Sequence, residues 1–194
     1  MGKMGTTQPI RKKTEIEALK NYFLDKNEIR NYVLVVMGLN MPLRISDILS
    51  IKWKDVYNEQ QGRYLKYLQI TEKKTQKRNY MTLNTHVIKA LQLLMETQKI
   101  CTFNRYIFSG NSLGDRPISR VTAYLIIHNA AEYLGIPNIG CHSLRKTFGY
   151  HAWKQGVHLA LIMSIYNHSS ISITKRYLGI EQEDKDNVFQ LINL

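Results

Sequence analysis

Cysteine is nearly absent: the 194 residues contain only Cys101 and Cys141, with no C-x-x-C pair. That excludes a disulfide framework and a cysteine-built zinc site, and suits a reducing compartment. Long apolar runs are missing too. The stretch 32–37 is among the longest, against the roughly 20 residues a membrane helix needs, and the polar N-terminus has no apolar signal core. The expectation is a cytoplasmic protein with no membrane contact. Glycines 110, 114 and 135 do not have phosphate-loop spacing, and His86, His128, His151 and His158 form no recognised metal motif with a carboxylate. No cofactor and no metal are therefore expected.

Acidic residues are the other shortage. Fifteen Asp plus Glu face 27 Lys plus Arg, a net charge of +12. Such an excess of positive charge favours a polyanionic partner, with nucleic acid first among them, although solvated lysines alone give the same count. Length fits one domain able to bury its own core.

What is present is mostly helical periodicity. Residues 1–13, basic and containing Pro9, read as an N-terminal arm without a fold of its own, mobile or lying along DNA. Thr14 and Glu17 have capping-box spacing, and Ile16, Leu19, Tyr22 and Phe23 recur at helical intervals, which starts the domain with a helix. A second helix over 28–40 ends at Pro42, and a short one over 43–51 presents Arg44 at its start. The pattern then shifts towards period two over 64–71 and 78–83, predicting an antiparallel hairpin with a basic tip at Lys73, Lys74 and Lys77. Helices follow over 85–98, 119–134, 143–155, 158–165, 170–177 and 181–194. The fold class is mainly α, or α+β with one small hairpin, in a single domain over 14–194.

The residues that carry chemistry sit late in the chain. His142 and Arg145 lie three apart at a helix start, on one side, where helix N–H groups also attract an anion. His168 precedes a short helix bearing Tyr177 nine positions on. This His-x-x-Arg, His, Tyr order resembles the signature of the tyrosine recombinase, or phage integrase, family. The segment Pro42-Leu43-Arg44-Ile45-Ser46-Asp47-Ile48 is similar to that family's first arginine box, and Lys74-Thr75 to its mobile catalytic lysine, with Lys73 and Lys77 as neighbouring alternatives.

The resemblance implies a catalytic domain that cuts and rejoins double-stranded DNA in recombination or integration. Tyr177 would attack phosphorus to give a 3′-phosphotyrosine, with His142 as general base, Lys74 as acid to the leaving 5′-oxygen, and Arg44, Arg145 and His168 as phosphate donors. Neither metal nor ATP would be needed. It also implies a supporting role for Asp47, and assembly into a tetrameric synapse through residues 181–194, which the sequence equally allows to fold back in cis. Three positions depart from the family pattern: Asn167 replaces a glycine, Lys146 a histidine and Thr82 a proline. No N-terminal core-binding domain is expected within these residues, since only thirteen precede the first helix. A decayed DNA-binding module, a topoisomerase-like nicking activity, and a basic RNA- or protein-binding domain are the competing readings.

Overall fold

The computed structural model describes residues 7–71, 78–98, 102–110 and 116–192. Among these the chain forms nine α-helices and two small antiparallel hairpins, as the mainly helical expectation requires. The helices are α1 (Lys13–Asp25), α2 (Ile29–Asn40), α3 (Ile45–Leu49), α4 (Thr85–Gln98), α5 (Arg120–Tyr133), α6 (Cys141–Lys154), α7 (Leu159–Tyr166), α8 (Ile171–Leu178) and α9 (Glu181–Leu191).

Helix α2 is the hub. Val33, Leu34, Val35, Val36, Met37 and Gly38 are consecutive and all buried, so it is surrounded rather than amphipathic, and it packs against α1, α4 and α6. Gly38 lets α6 approach: a Cβ there would lie 2.6 Å from Leu144 Cδ1. A second, smaller buried cluster, Tyr150, Ile162, Tyr166, Leu178 and Ile180, is built from α6, α7 and α8 and the second residue beyond α8.

The hairpins need correction in detail. Strands β3 (Tyr67–Thr71) and β4 (Arg78–Thr82) pair with Tyr67 opposite Thr82 and Thr71 opposite Arg78. Tyr64, expected in the same strand, instead belongs to a separate hairpin of β1 (Tyr57–Asn58) and β2 (Arg63–Tyr64), where it packs edge-on against Tyr57 at 5.1 Å. The predicted capping box is also not formed. Helix α1 starts one residue before Thr14, without a side-chain cap, and Glu17 pairs with Lys20 at 2.7 Å.

The N-terminal arm differs most from expectation. Residues 7–12 are not free: Ile10 is 1% exposed, and its N–H donates to Thr147 Oγ1 at 2.8 Å. Packing of one apolar side chain and pairing of its backbone groups outweighs the polar, proline-containing character that suggests a loose arm.

Candidate active site

Helix α6 opens with Ser143 Oγ accepting the Gly140 N–H at 3.1 Å, which fixes its first turn. That turn carries His142, exposed, and Arg145, only 5% exposed. Arg145 is held by a reciprocal pair of bonds to Tyr166 at the end of α7. Its Nη2 donates to the Tyr166 carbonyl at 3.3 Å, and the buried Tyr166 hydroxyl donates to the Arg145 carbonyl at 2.6 Å. The guanidinium also lies 4.8 Å over the Tyr166 ring.

Asn167 ends α7 in the left-handed region, at φ 54° and ψ 40°. Asparagine adopts that conformation more readily than most residues, which is why the turn survives without the family's glycine. The turn delivers His168, whose ring stacks on Tyr166 at 5.4 Å and meets Tyr177 edge-on at 5.2 Å. Ser170 then caps α8 by accepting the Ile173 N–H. Thr174, fully buried on α8, donates its hydroxyl to the Ser170 carbonyl and stands 3.1 Å from His168 Nδ1. With the hydroxyl so engaged it accepts from Nδ1–H, leaving Nε2 directed away from the bond.

Tyr177 is half-buried on the next turn of α8, against Tyr166 at 5.6 Å and beneath Lys146, whose Nζ is 5.2 Å from its ring centre. Burial raises the phenol above its ordinary value, and Arg145 and then Arg44 pull it back down. Arg44, at the N-cap of α3, therefore acts on the same group as Arg145 of α6. His142 is lowered by partial burial first, then by Arg145, Lys146 and Arg44. His168 is lowered by burial, then by Arg145 and Arg44. Tyr177, His142 and His168 thus each fall within electrostatic reach of both Arg145 and Arg44, five of the six expected groups. The sixth, Lys74, lies outside the described residues, as do Lys73 and Lys77. The strand leading from that segment, β4, does border the site's helices: Asn79, Tyr80 and Met81 share a cleft of about 490 Å³ with Phe148, Ser164 and Ile165.

Asp47 is 1% exposed within α3, and its N–H bonds the Arg44 carbonyl at 2.9 Å. Cys141, beside His142, has its thiol pushed up to about 11 by burial and stays protonated at neutral pH. Tyr166 and Thr174 are contributors that residue types alone do not reveal, whereas Lys146 stands at a position where the sequence departs from the family pattern. For Thr174 the available signal is spacing, three before Tyr177 and one helical turn away.

Both lowered imidazoles bind protons less tightly in the folded chain than in the unfolded one, where histidine titrates near 6.5. Stability is therefore expected to be insensitive to these groups above about pH 7 and to fall as pH drops through about 6.5 towards the folded-state values. Thermal melts across that window check it. A melting temperature that does not fall, or a fall undiminished in a His142→Gln, His168→Asn double variant, contradicts it.

Comparison with known proteins shows the family. The profile of the phage integrase family matches residues 11–183. The chain belongs to the phage integrase family. Among its curated relatives, this integrase-family chain is 41% identical to the "Probable integrase/recombinase YoeC" of Bacillus subtilis, covering 93% of each. It is 25% identical to a tyrosine recombinase XerC of Staphylococcus epidermidis, over 85% of this chain and 54% of the relative. The chain thus spans nearly all of the first and about half of the second.

Solved structures share the fold of this family member. The XerA recombinase crystal structure superposes with a TM-score of 0.73 at 18% identity, over 98% of this chain and 66% of that one. The XerH site-specific recombinase, in a post-cleavage complex with its difH substrate, gives 0.71 at 20% identity over 95% and 53%. Among the described residues no helix is long and apolar enough to cross a membrane.

Proposed function

We propose that this chain is a site-specific DNA recombinase that breaks and rejoins double-stranded DNA through Tyr177, acting in the cytoplasm. The supporting observation is the convergence of Arg44, Arg145 and His168 on the Tyr177 phenol. Tyr177 Oη attacks the scissile phosphorus and the bond to the 5′-oxygen breaks, leaving a 3′-phosphotyrosine and a free 5′-hydroxyl. Rejoining reverses these steps, and the phosphotyrosine conserves the bond so that ATP is not consumed.

A phenol raised by burial does not ionise unaided at neutral pH. His142, held neutral by its surroundings, is the base that takes the proton and returns it on rejoining. Arg44 and Arg145 donate to the non-bridging oxygens and offset the charge that builds on phosphorus, so a metal is not required. His168 donates from Nε2 as an imidazolium, which means that the arriving phosphate raises its pKa and binding takes up a proton. Lys74 is the acid for the 5′-oxygen.

The test is a nicked suicide duplex that traps cleavage, incubated with the wild type and Tyr177→Phe in EDTA without nucleotide, at low salt where phosphate contacts are strongest. A denaturant-resistant protein–DNA adduct from the wild type alone is expected. Equal adduct from the phenylalanine variant removes Tyr177 from the chemistry, and a requirement for metal removes the two-arginine account.

Assembly into a tetrameric synapse is proposed to run through residues 181–194, docking on a second copy of this chain. Val188, Phe189, Leu191 and Ile192 of this segment are 57–81% exposed, an apolar face that the described part of the chain does not cover. Sedimentation of the chain with its duplex would contradict this if a version ending at residue 180 assembled equally well.

A further inference from the structure

The segment before α1 is laced to both helices that carry the chemistry. Gln8 N–H donates to the Asn138 carbonyl at 3.1 Å, just ahead of α6. Ile10 is anchored within α6 itself, through its N–H to Thr147 and its carbonyl 3.0 Å from His151 Nε2. Two further contacts reach Tyr177. The Thr7 carbonyl accepts from Lys146 Nζ at 2.5 Å, and it is this ammonium that lies 5.2 Å from the centre of the Tyr177 ring. Arg11 Nη2 donates at 2.9 Å to the carbonyl of Gly179, two residues past Tyr177, where the chain turns from α8 into α9 with φ 69°.

We propose that residues 7–12 are a strap that holds Tyr177 in its attacking position, with Lys146 and Arg11 as the positioning residues that connect strap to nucleophile. This rests on the reading of Tyr177 as the nucleophile. Helix α8 has only eight residues, and two of its apolar side chains, Ile171 and Ile173, face solvent. Thr174 and Leu178 bury one face of this short helix against α6 and α7, and the ties from residues 7–12 add to that packing at the end where Tyr177 stands.

Each tie has a separate action. A lysine chain is flexible, and its ammonium ordinarily extends into water. Pinned by the Thr7 carbonyl, it is kept over the phenol face, where it attracts the ring and, more strongly, the phenolate that forms on proton loss. Arg11 fixes the other end. It bonds a carbonyl at the C-terminal end of α8, where a cation is favoured by the helix dipole, and so prevents the helix from fraying back towards Tyr177.

The test uses the full chain with Arg11→Ala, Lys146→Met, Lys146→Arg and, as a control, Lys12→Ala. Lys12 shares the segment, but its side chain reaches only outward, to Glu15 at 3.2 Å. Amide hydrogen exchange reads the strap directly and does not require cleavage. Faster exchange at residues 177–180 in Arg11→Ala and Lys146→Met, with Lys12→Ala like the wild type, is the expected result. Wild-type exchange in either variant overturns the proposal.

Single-turnover cleavage then reads the consequence. Both variants are expected to cleave about tenfold more slowly at unchanged DNA affinity, the order of loss that follows from a nucleophile slightly out of place. In Lys146→Met the pH–rate profile should also move to higher pH, and Lys146→Arg should restore it. Wild-type rates and an unmoved profile overturn the positioning role. Adduct from Tyr177→Phe equal to that of the wild type would instead strike the nucleophile assignment, leaving the exchange result to stand or fall separately.

Discussion

Arg145→Lys is expected to lower single-turnover adduct formation by about a hundredfold at saturating DNA, corresponding to about 3 kcal/mol of lost transition-state stabilisation. The argument depends on what lysine keeps and loses. It keeps one positive charge at a buried position of 5% exposure, so the site does not lose its net attraction for phosphate. It loses the planar fork that can bond Tyr166 and a non-bridging oxygen at once. Alanine is the poorer probe, because it removes the charge as well as the guanidinium half of the tie to Tyr166 and lowers the melting temperature for that reason. Rates measured over a range of DNA concentrations separate binding from chemistry. A loss of threefold or less at saturation would take Arg145 out of the phosphate clamp.

Gly149→Ala should abolish cleavage at temperatures where the protein remains folded. Gly149 is in the middle of α6, where α8 crosses it. A Cβ there would be 2.7 Å from Leu178 Cδ2, 2.7 Å from the Tyr166 hydroxyl and 2.8 Å from Tyr166 Cε2. Leu178 and Tyr166 are both fully buried, and the Tyr166 hydroxyl is committed to the Arg145 carbonyl. Overpacking of this kind costs about 1–3 kcal/mol, and the strain is relieved where the structure gives most easily. That place is α8, which carries Leu178 next to Tyr177. Parallel melting and cleavage assays distinguish the outcomes. If the variant melts lower by the expected few degrees yet cleaves at the wild-type rate well below its transition, α8 does not depend on this contact.

Much of the site is legible from residue order because its pieces are local. His142 and Arg145 fall one turn apart in α6, and His168 and Tyr177 bracket the cap and body of α8, so helical period and a short motif suffice. The missed parts depend on distance along the chain. The bonds that convert the basic arm into a strap join residues 137 and 168 positions apart, and no local pattern records them. The β1–β2 hairpin has strands of two residues, too short for any alternation to register. Tyr166 stands two before His168 in plain view, yet its function comes from lying under Arg145 and His168 together, which only the fold decides. The Thr14 cap failed for the opposite reason: the signal was present, but the helix starts at Lys13, which places Thr14 inside its first turn.

The two buried clusters have a further consequence. Tyr150, Ile162, Tyr166, Leu178 and Ile180 form a small oil drop of their own, while α2 and its neighbours form the large one, and α6 runs through both. A unit with so few buried side chains opens at a lower free energy than the whole. The region holding His168 and Tyr177 is therefore expected to be the less stable of the two. On warming or in mild denaturant it is expected to open first, so that cleavage would be lost while most of the helices persist. Refolding of that one unit, rather than of the chain, sets when it can act again.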